Sequence, residues 1–260
     1  MLFSVITVCY NAVDIIERTI CSVISQTSKS VEYIIIDGGS TDGTNDIIDK
    51  YNSCLSYYVS EPDRGIYDAM NKGANASKGE YVLFLNAGDV FRHSRIIEEV
   101  EGVIKSEQSL CDVLYGDVIY QYAFGEKYDL SQDLRKIKFD MVFSHQSAFV
   151  KAEILRKRQF DLKYHFAADY DFLLWAYINK LSFRRIDIPI SVVDASSGAT
   201  YDNFVKSRRE SYDIQCSYGG NRIICYCWYL RKISWFKITS KIKERFPHSI
   251  LRLLMTRRHD

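Results

Sequence analysis

VEYIIIDGGSTDGT, residues 31–44, passes from an unbroken apolar run into a loop of glycine, hydroxyl and acid residues. An apolar run without alternation marks a strand buried on both faces. The polar cluster behind it is a tight turn, and Thr44 can cap a helix through 45–53. The same phrase recurs along the first half. FSVITVC (3–9), LSYYVS (55–60), EYVLFL (80–85) and DVLYGDVIY (112–120) read as further strands. Helical patterns separate them. One covers 14–26, with Ile16, Ile20, Val23 and Ile24 on one face and Asp14 as its cap; others cover 65–77 and the stretch that Ser94 can cap. This alternation implies a mostly parallel, Rossmann-like α/β sheet with helices on both faces.

Such sheets bind ligands beyond the carboxyl ends of their strands. Those ends read Cys9-Tyr10-Asn11, Asp37-Gly38-Gly39, Glu61-Pro62-Asp63-Arg64-Gly65 and Asn86-Ala87-Gly88-Asp89, so acids, amides and glycines collect on one edge. Asp37, at a strand terminus, can accept a hydrogen bond from a base edge or a ribose. Asp37 and Asp89 together make a cation seat, since a hard divalent ion takes carboxylate oxygens and completes its shell with water and substrate phosphates. GGSTDGT is neither a P-loop nor a G-x-G-x-x-G fingerprint. The second half is less regular. Residues 141–150 mix apolar side chains with His145 and Gln146, 167–180 read as a helix opening with acids, 183–194 as a strand, and SSGAT (196–200) as a loop.

Composition narrows the class. The chain has 260 residues and is 47% hydrophobic, enough for one large domain with a sizeable core. Seven cysteines occur without a C-x-x-C pair, so they read as reduced thiols of a cytoplasmic protein and not as a zinc site. No signal peptide and no apolar stretch of 18 residues is seen. Charge is uneven: residues 221–260 carry ten Lys or Arg against two acids, while residues 1–220 carry 24 basic and 31 acidic residues. The basic tail interleaves Tyr226, Trp228, Tyr229, Trp235 and Phe236 with cations. That pattern suits a helix lying on an anionic membrane surface. It also suits a packed helix with a solvated basic face; no nucleic-acid motif accompanies it.

SVITVCYN (4–11), IIIDGGSTDGT (34–44), GIYDAMNKG (65–73), GEYVLFLNAGD (79–89) and ADYDFLLW (168–175) follow one another in an order and spacing that resemble family 2 glycosyltransferases. The resemblance covers roughly residues 1–200 and is greatest to bacterial enzymes of O-antigen and exopolysaccharide assembly. It implies a GT-A fold, with residues 1–120 as the nucleotide-sugar half and 121–220 as the acceptor half of one domain; residues 221–260, read from their basic and aromatic composition, follow as a membrane-proximal helical tail. By position it implies that Tyr10 lines the uridine pocket and that Asp37 contacts uracil or ribose. The family's usual second acid there is Gly38 in this chain. Asn86-Ala87-Gly88-Asp89 stands in the place of the Asp-x-Asp metal motif, leaving Asp89 as the ligand of Mn²⁺ or Mg²⁺. Arg64, Asp68, Asn71, Lys72 and Asn86 complete the donor-site candidates; Arg64 and Lys72 can touch the diphosphate or be solvated charges. The family's acidic pair at a later helix start is Ala168-Asp169 here, which gives the base to Asp169. Asp171 points about 200° away on a helix, and the bland reading of Asp169 is an acid favoured by the helix dipole. His145 can be a metal or acceptor ligand, or a structural residue.

The expected chemistry is inverting transfer from a UDP-sugar (a hexose or N-acetylhexosamine such as Gal, Glc or GalNAc) to a saccharide on undecaprenyl diphosphate. One carboxylate takes the acceptor proton, and a metal ion replaces a second acid on the leaving side, unlike a glycoside hydrolase. The expected location is the inner face of the cytoplasmic membrane, peripherally bound. A nucleotidyltransferase and a non-catalytic sugar- or lipid-binding subunit are the alternatives.

Overall fold

The computed structural model of the chain describes residues 1–106, 111–122, 125–194 and 203–245. One nine-stranded sheet runs through both halves of the body. Its strands are β1 (Phe3–Cys9), β2 (Val31–Asp37), β3 (Tyr57–Ser60), β4 (Tyr81–Phe84), β5 (Val90–Phe91), β6 (Val113–Tyr122), β7 (Gly125–Asp129), β8 (Ala148–Lys151) and β9 (Phe183–Asp194). The order is β3-β2-β1-β4-β8-β6-β9-β5, with β7 paired to β6. The first four strands are parallel neighbours, as their continuous apolar runs require. Cys9 lies beside Asp37, and Asp37 beside Ser60, so three strand ends are level at one edge.

The sheet is less uniformly parallel than the alternation implies. The strand of residues 112–120 does not pair with β4. The antiparallel β8 is inserted between them, pairing Val82 with Val150 and Val150 with Val113. β5 and β7 are also antiparallel to their neighbours. Short return strands of two to five residues carry too little periodicity to be read from sequence.

Eight helices are described: α1 (Ile16–Ile24), α2 (Thr44–Asp49), α3 (Ile66–Ala76), α4 (Ile96–Ser106), α5 (Ala152–Lys157), α6 (Ala168–Ile178), α7 (Phe204–Ser217) and α8 (Arg222–Arg245). The strands' period of two sends alternate residues to two cores. Ile6, Val8, Ile34 and Ile36 meet α3, α5 and α6, while Phe3, Val5, Tyr33 and Ile35 meet α1, α2 and α4. Three local readings need correction. Asp14 does not cap α1, whose first flanking residue is Ile15 without a side-chain cap. Ile24 is partly exposed and lies off the buried stripe of Ile16, Thr19, Ile20 and Val23. Thr44 begins α2 instead of capping it; its hydroxyl donates to Asp42 at 2.5 Å and accepts from the Ala12 amide at 2.8 Å. The SSGAT loop lies outside the described residues.

The tail is helical and docks on the body. Trp228 stacks on Phe139 with ring centres 5.9 Å apart, Phe236 stacks on Phe204 at 4.2 Å, and Lys232 pairs with Asp140. Cys225 and Ile233 are buried against the body. Among the described residues no helix is long and apolar enough to cross a membrane.

Candidate active site

The level ends of β1, β2 and β3 build one wall. Asp37 is fully buried, and its carboxylate is committed to the loop that follows. Oδ2 accepts from the amides of Gly39 (3.1 Å) and Ser40 (2.8 Å) and from the Ser60 hydroxyl (2.6 Å); Oδ1 accepts from the Ser40 hydroxyl. Burial alone would push this carboxyl up, but the hydroxyl and amide donors hold it below the usual range. Asp37 therefore stands at the expected strand end with its carboxylate engaged by the loop and by Ser60. No part of it is exposed, and it acts as the staple of the 38–44 turn.

An open carboxylate stands nearby in another residue. A Cβ built on Gly38 would lie 2.5 Å from Oδ2 of Asp63 and 3.4 Å from the ring of Tyr10. Asp63 thus fills the space that a side chain at 38 would take. Its Oδ1 accepts from the Gly65 amide at 2.8 Å, while Oδ2 has no hydrogen-bond partner among the described residues. Tyr10 beside it is 64% exposed, an unusual state for a large aromatic side chain at a strand end. An open ring next to a free carboxylate oxygen is a surface on which a nucleobase can stack and donate.

The turn from β3 into α3 and the first half of α3 carry four of the expected residues. Arg64 pairs with Asp68 at 3.0 Å, and Lys72 with Glu61 at 2.8 Å. Arg64 is largely exposed, so its guanidinium is accessible from solvent. Asp68 is nearly buried and also accepts from the Arg64 amide at 3.1 Å, which fixes the entry to α3. Asn71 lies away from this surface. Its amide clamps both backbone groups of Phe160, at 2.9 Å each, so it ties α3 to the loop before α6.

The other wall is the end of β4. Gly88 has φ +95°, and a Cβ there would meet Ile15 at 3.3 Å. Glycine is needed for the turn because of this left-handed backbone angle. Thr19 of α1 secures the turn, donating to the Asp89 carbonyl at 2.8 Å and accepting from the Gly88 amide at 2.9 Å. Asp89 is buried, and its carboxylate accepts from Gln146 Nε2 (3.2 Å) and from the Asp194 amide (3.3 Å). Burial outweighs these donors and pushes its pKa up to about 6. Such a carboxylate lacks countercharge, and that fits a cation. Among the described residues no group of three or more His, Cys, Asp or Glu could hold an ion. A metal here would be held by Asp89 and would draw its other ligands from water and a diphosphate.

Residues 145–147 form one 3₁₀ turn that enters β8 and joins Asp89 to Asp169. Gln146 reaches Asp89; His145 Nδ1 lies 2.9 Å from Asp169 Oδ2. On its other side, His145 Nε2 meets the Asn86 amide at 3.3 Å, and the Asn86 side-chain oxygen is buried without a partner among the described residues. Asp169 Oδ1 accepts from the Tyr67 hydroxyl and the Tyr170 amide, each at 2.9 Å. Burial raises the Asp169 carboxyl, but His145 and Tyr67 more than offset it and hold it below the usual range. Asp171 faces away, as expected, and forms a buried ion pair with Arg158 at 2.7 Å.

Comparison with known proteins identifies the family. The profile of "Glycosyl transferase family 2" matches residues 4–164. The chain belongs to this family. A "PGL/p-HBAD biosynthesis glycosyltransferase" of Mycobacterium bovis (strain BCG / Pasteur 1173P2) is 30% identical over 191 residues, 71% of this chain and 73% of the relative. The "Putative teichuronic acid biosynthesis glycosyltransferase TuaG" of Bacillus subtilis (strain 168) is 38% identical over 103 residues, 38% of this chain and 41% of the relative. S. aureus TarS 1-349 in complex with UDP-GlcNAc shares the fold with a TM-score of 0.63 at 20% identity, over 82% of this chain and 66% of that one. This chain spans 39% of the longer S. aureus TarS chain. The mannosyltransferase PcManGT from Pyrobaculum calidifontis, in complex with GDP-Man and Mn²⁺, aligns with a TM-score of 0.64 at 16% identity, over 84% of this chain and 65% of that one. The fold is GT-A. Within the family assignment, Tyr10, Arg64, Asp68, Lys72, Asn86, Asp89 and Asp169 stand on the strand-end surface or on the network behind it. Asp63, Tyr67, Thr19 and Gln146 went unselected. The signal for Asp63 was Gly38, a missing acid whose space another residue had to fill.

Proposed function

We propose that the chain transfers a sugar, with inversion, from a UDP-sugar to a saccharide carried on a lipid diphosphate during assembly of a cell-surface glycan. The observation that carries this reading is the strand-end edge. It sets the open Tyr10–Asp63 surface on one side and Asp89 on the other, and the 145–147 turn links Asp89 to Asp169. A uracil stacked on Tyr10 would donate its imino hydrogen to Asp63. Arg64 and Lys72 would meet the diphosphate once drawn from Asp68 and Glu61. The proton of the acceptor hydroxyl is lost to base machinery centred on Asp169. A divalent ion at Asp89, when bound, would neutralise charge on the departing diphosphate. TarS was seen with UDP-GlcNAc, and the relatives are named for PGL/p-HBAD biosynthesis and, for TuaG, for a "putative" part in teichuronic acid biosynthesis, which supports nucleotide-sugar and envelope-glycan chemistry.

The acceptor reading draws on α8. Its inner face is anchored by Trp228, Cys225, Ile233 and Phe236, yet Ile223, Leu230, Trp235 and Ile238 are exposed on the outer side. A solvated basic face would not show this stripe. Apolar side chains among cations fit an anionic lipid surface, where the acceptor would reside. The test is UDP release from a panel of UDP-sugars with a synthetic GlcNAc-diphosphate-lipid acceptor. Acceptor-dependent release from one or a few donors is expected. A chain that binds no nucleotide-sugar, or transfers equally well from GDP-sugars, refutes the proposal as stated.

A further inference from the structure

We infer that Glu210 of α7 is a positioning residue for the base Asp169, holding the backbone that enters α6 so that the carboxylate meets the acceptor hydroxyl. The inference rests on the transferase reading above, with Asp169 as its base. Asp169 is the second residue of α6 and so lies in its first turn. First turns leave amide groups without helical partners, and helix ends open most readily. A side-chain cap ordinarily holds such a turn, but Ala167 supplies none here. The entering chain is held from another helix instead. Glu210 Oε1 accepts from the His165 amide at 2.9 Å, and Oε2 from the Phe166 amide at 2.8 Å.

The clamp is directional and firmly based. Each carboxylate oxygen takes one of two consecutive amides, which fixes the rotation of the 165–166 segment as well as its distance from α7. α7 is fixed in turn. Ile214 and Gln215 are buried, Gln215 Nε2 donates to the Phe139 carbonyl at 2.9 Å, and Arg208 pairs with Asp140 at 2.7 Å. The Glu210 charge also reaches a donor that orients the base. Burial and the Asp169 carboxylate push the Tyr67 hydroxyl well up, and Glu210 adds to this, so the hydroxyl stays protonated and donates to Asp169 Oδ1.

The bond to His165 is exposed and the bond to Phe166 half-buried, so water can replace Glu210 as the acceptor. Water would not tie these amides to α7. Losing the clamp therefore costs little in hydrogen bonding and much in geometry. Tyr67 and His145, the side-chain donors on Asp169, come from α3 and from the 145–147 turn. They hold the carboxylate in place only while the α6 backbone stays in register with those elements. A misplacement of about 1 Å at a reacting group costs on the order of 100-fold in rate. Tyr10, Asp63 and Arg64 lie beyond β1 and β3 instead, on the far side of the donor from α7's contacts with the chain entering α6. The expected signature is a loss of rate without a loss of donor affinity.

The test measures single-turnover transfer at saturating donor and acceptor, both KM values and UDP affinity, for Glu210→Ala, Glu210→Gln and Asp213→Ala. Asp213 is the control, an exposed acid of the same helix paired with Arg209. In Glu210→Ala the rate should fall about 10- to 100-fold, with KM values and UDP affinity within about threefold of the parent. Glu210→Gln keeps one accepting oxygen and should fall between the two; Asp213→Ala should match the parent. In an Asp169→Asn background, adding Glu210→Ala should cost less than about threefold, because the group it positions is gone. The same factor in both backgrounds overturns the inference. So does a Glu210→Ala rate within about twofold of the parent, or a parallel loss of rate and donor affinity. Should Glu210→Ala not fold, Glu210→Gln carries the same comparisons. Hydrogen exchange reads the clamp without catalysis: residues 165–171 should exchange about tenfold or more faster in Glu210→Ala, and unchanged exchange rejects the clamp. A parent that turns over no nucleotide-sugar refutes the transferase reading, and Asp169→Asn at full rate refutes the base reading; both are seen before Glu210 is altered.

Discussion

Asp89→Asn should make the protein more stable at neutral pH while abolishing transfer. Asp89 is held almost without solvent, and burial raises its pKa from the ordinary 3.8 to about 6. The folded chain therefore binds this proton more tightly than the unfolded chain does. The residue's contribution falls as pH rises from about 4 to about 6. Above that window the fold carries the full cost of an ionised buried group, about 3 kcal/mol at about 1.4 kcal/mol per pH unit. An asparagine has no charge to bury. It would still meet two donors, Gln146 Nε2 and the Asp194 amide, and can accept from only one, a loss of about 1–2 kcal/mol. The net gain is about 1–2 kcal/mol at pH 8, or about 2–4 °C in Tm for a chain of this size. Thermal unfolding in EDTA at pH 8 and pH 4 is the assay. At pH 4 the gain should vanish or reverse, because Asp89 is then protonated in the fold. With EDTA omitted and UDP present, added Mn²⁺ at pH 8 should raise the Tm of the parent but not of Asp89→Asn. A variant less stable than the parent at pH 8, or a difference independent of pH, would refute the reasoning.

Three further outcomes are expected. Gly38→Asp should weaken UDP binding about tenfold or more, because its side chain collides with Asp63; adding Asp63→Gly should recover part of the loss, measured by calorimetry. Thr19→Val should lower stability by about 2–4 kcal/mol in urea unfolding, since it strips the buried Gly88 amide and Asp89 carbonyl of their shared partner; no change would mean that this turn is held by other contacts. Leu230→Glu with Trp235→Glu should reduce flotation with anionic vesicles without lowering Tm, because both side chains are exposed on α8; undiminished flotation would reject a membrane role for that face.

The central parallel strands β1, β2 and β4 were legible because they are buried on both faces, so each sequence is an unbroken apolar run with a polar end. What escaped was set by long-range pairing. Nothing local in AFVK says that β8 runs against β4 and β6. Asp37 looked like a ligand because it ends a strand. Its partners Ser40 and Ser60 come from a turn and a neighbouring strand, and only the register of β2 with β3 brings Ser60 alongside. His145 stood among apolar residues as an ordinary structural histidine would, and its meaning depends on Asp169, 24 positions away.

The departure from a parallel sheet is also what completes the site. Because β8 pairs antiparallel with β4, Tyr81 opposite Lys151 and Val82 opposite Val150, the residues before β8 fall beside the residues after β4. The 145–147 turn is thereby delivered to the Asn86–Asp89 turn. His145 meets Asn86 and Gln146 meets Asp89 across that junction. A parallel strand in the same place would have put its trailing residues there instead. The chain lacks acids at 38, 88 and 168, where its family usually carries them. At two of those places the structure supplies a neighbouring group: Asp63 occupies the space above Gly38, and His145 lies against Asp169 beside Ala168. At the third, Gly88 is required by its backbone angle, and Asp89 remains alone. Metal affinity should therefore be weak without a nucleotide and strong with one. Manganese titrated by calorimetry with and without UDP would show this, and equal affinity in both would mean that Asp89 is not where the ion binds.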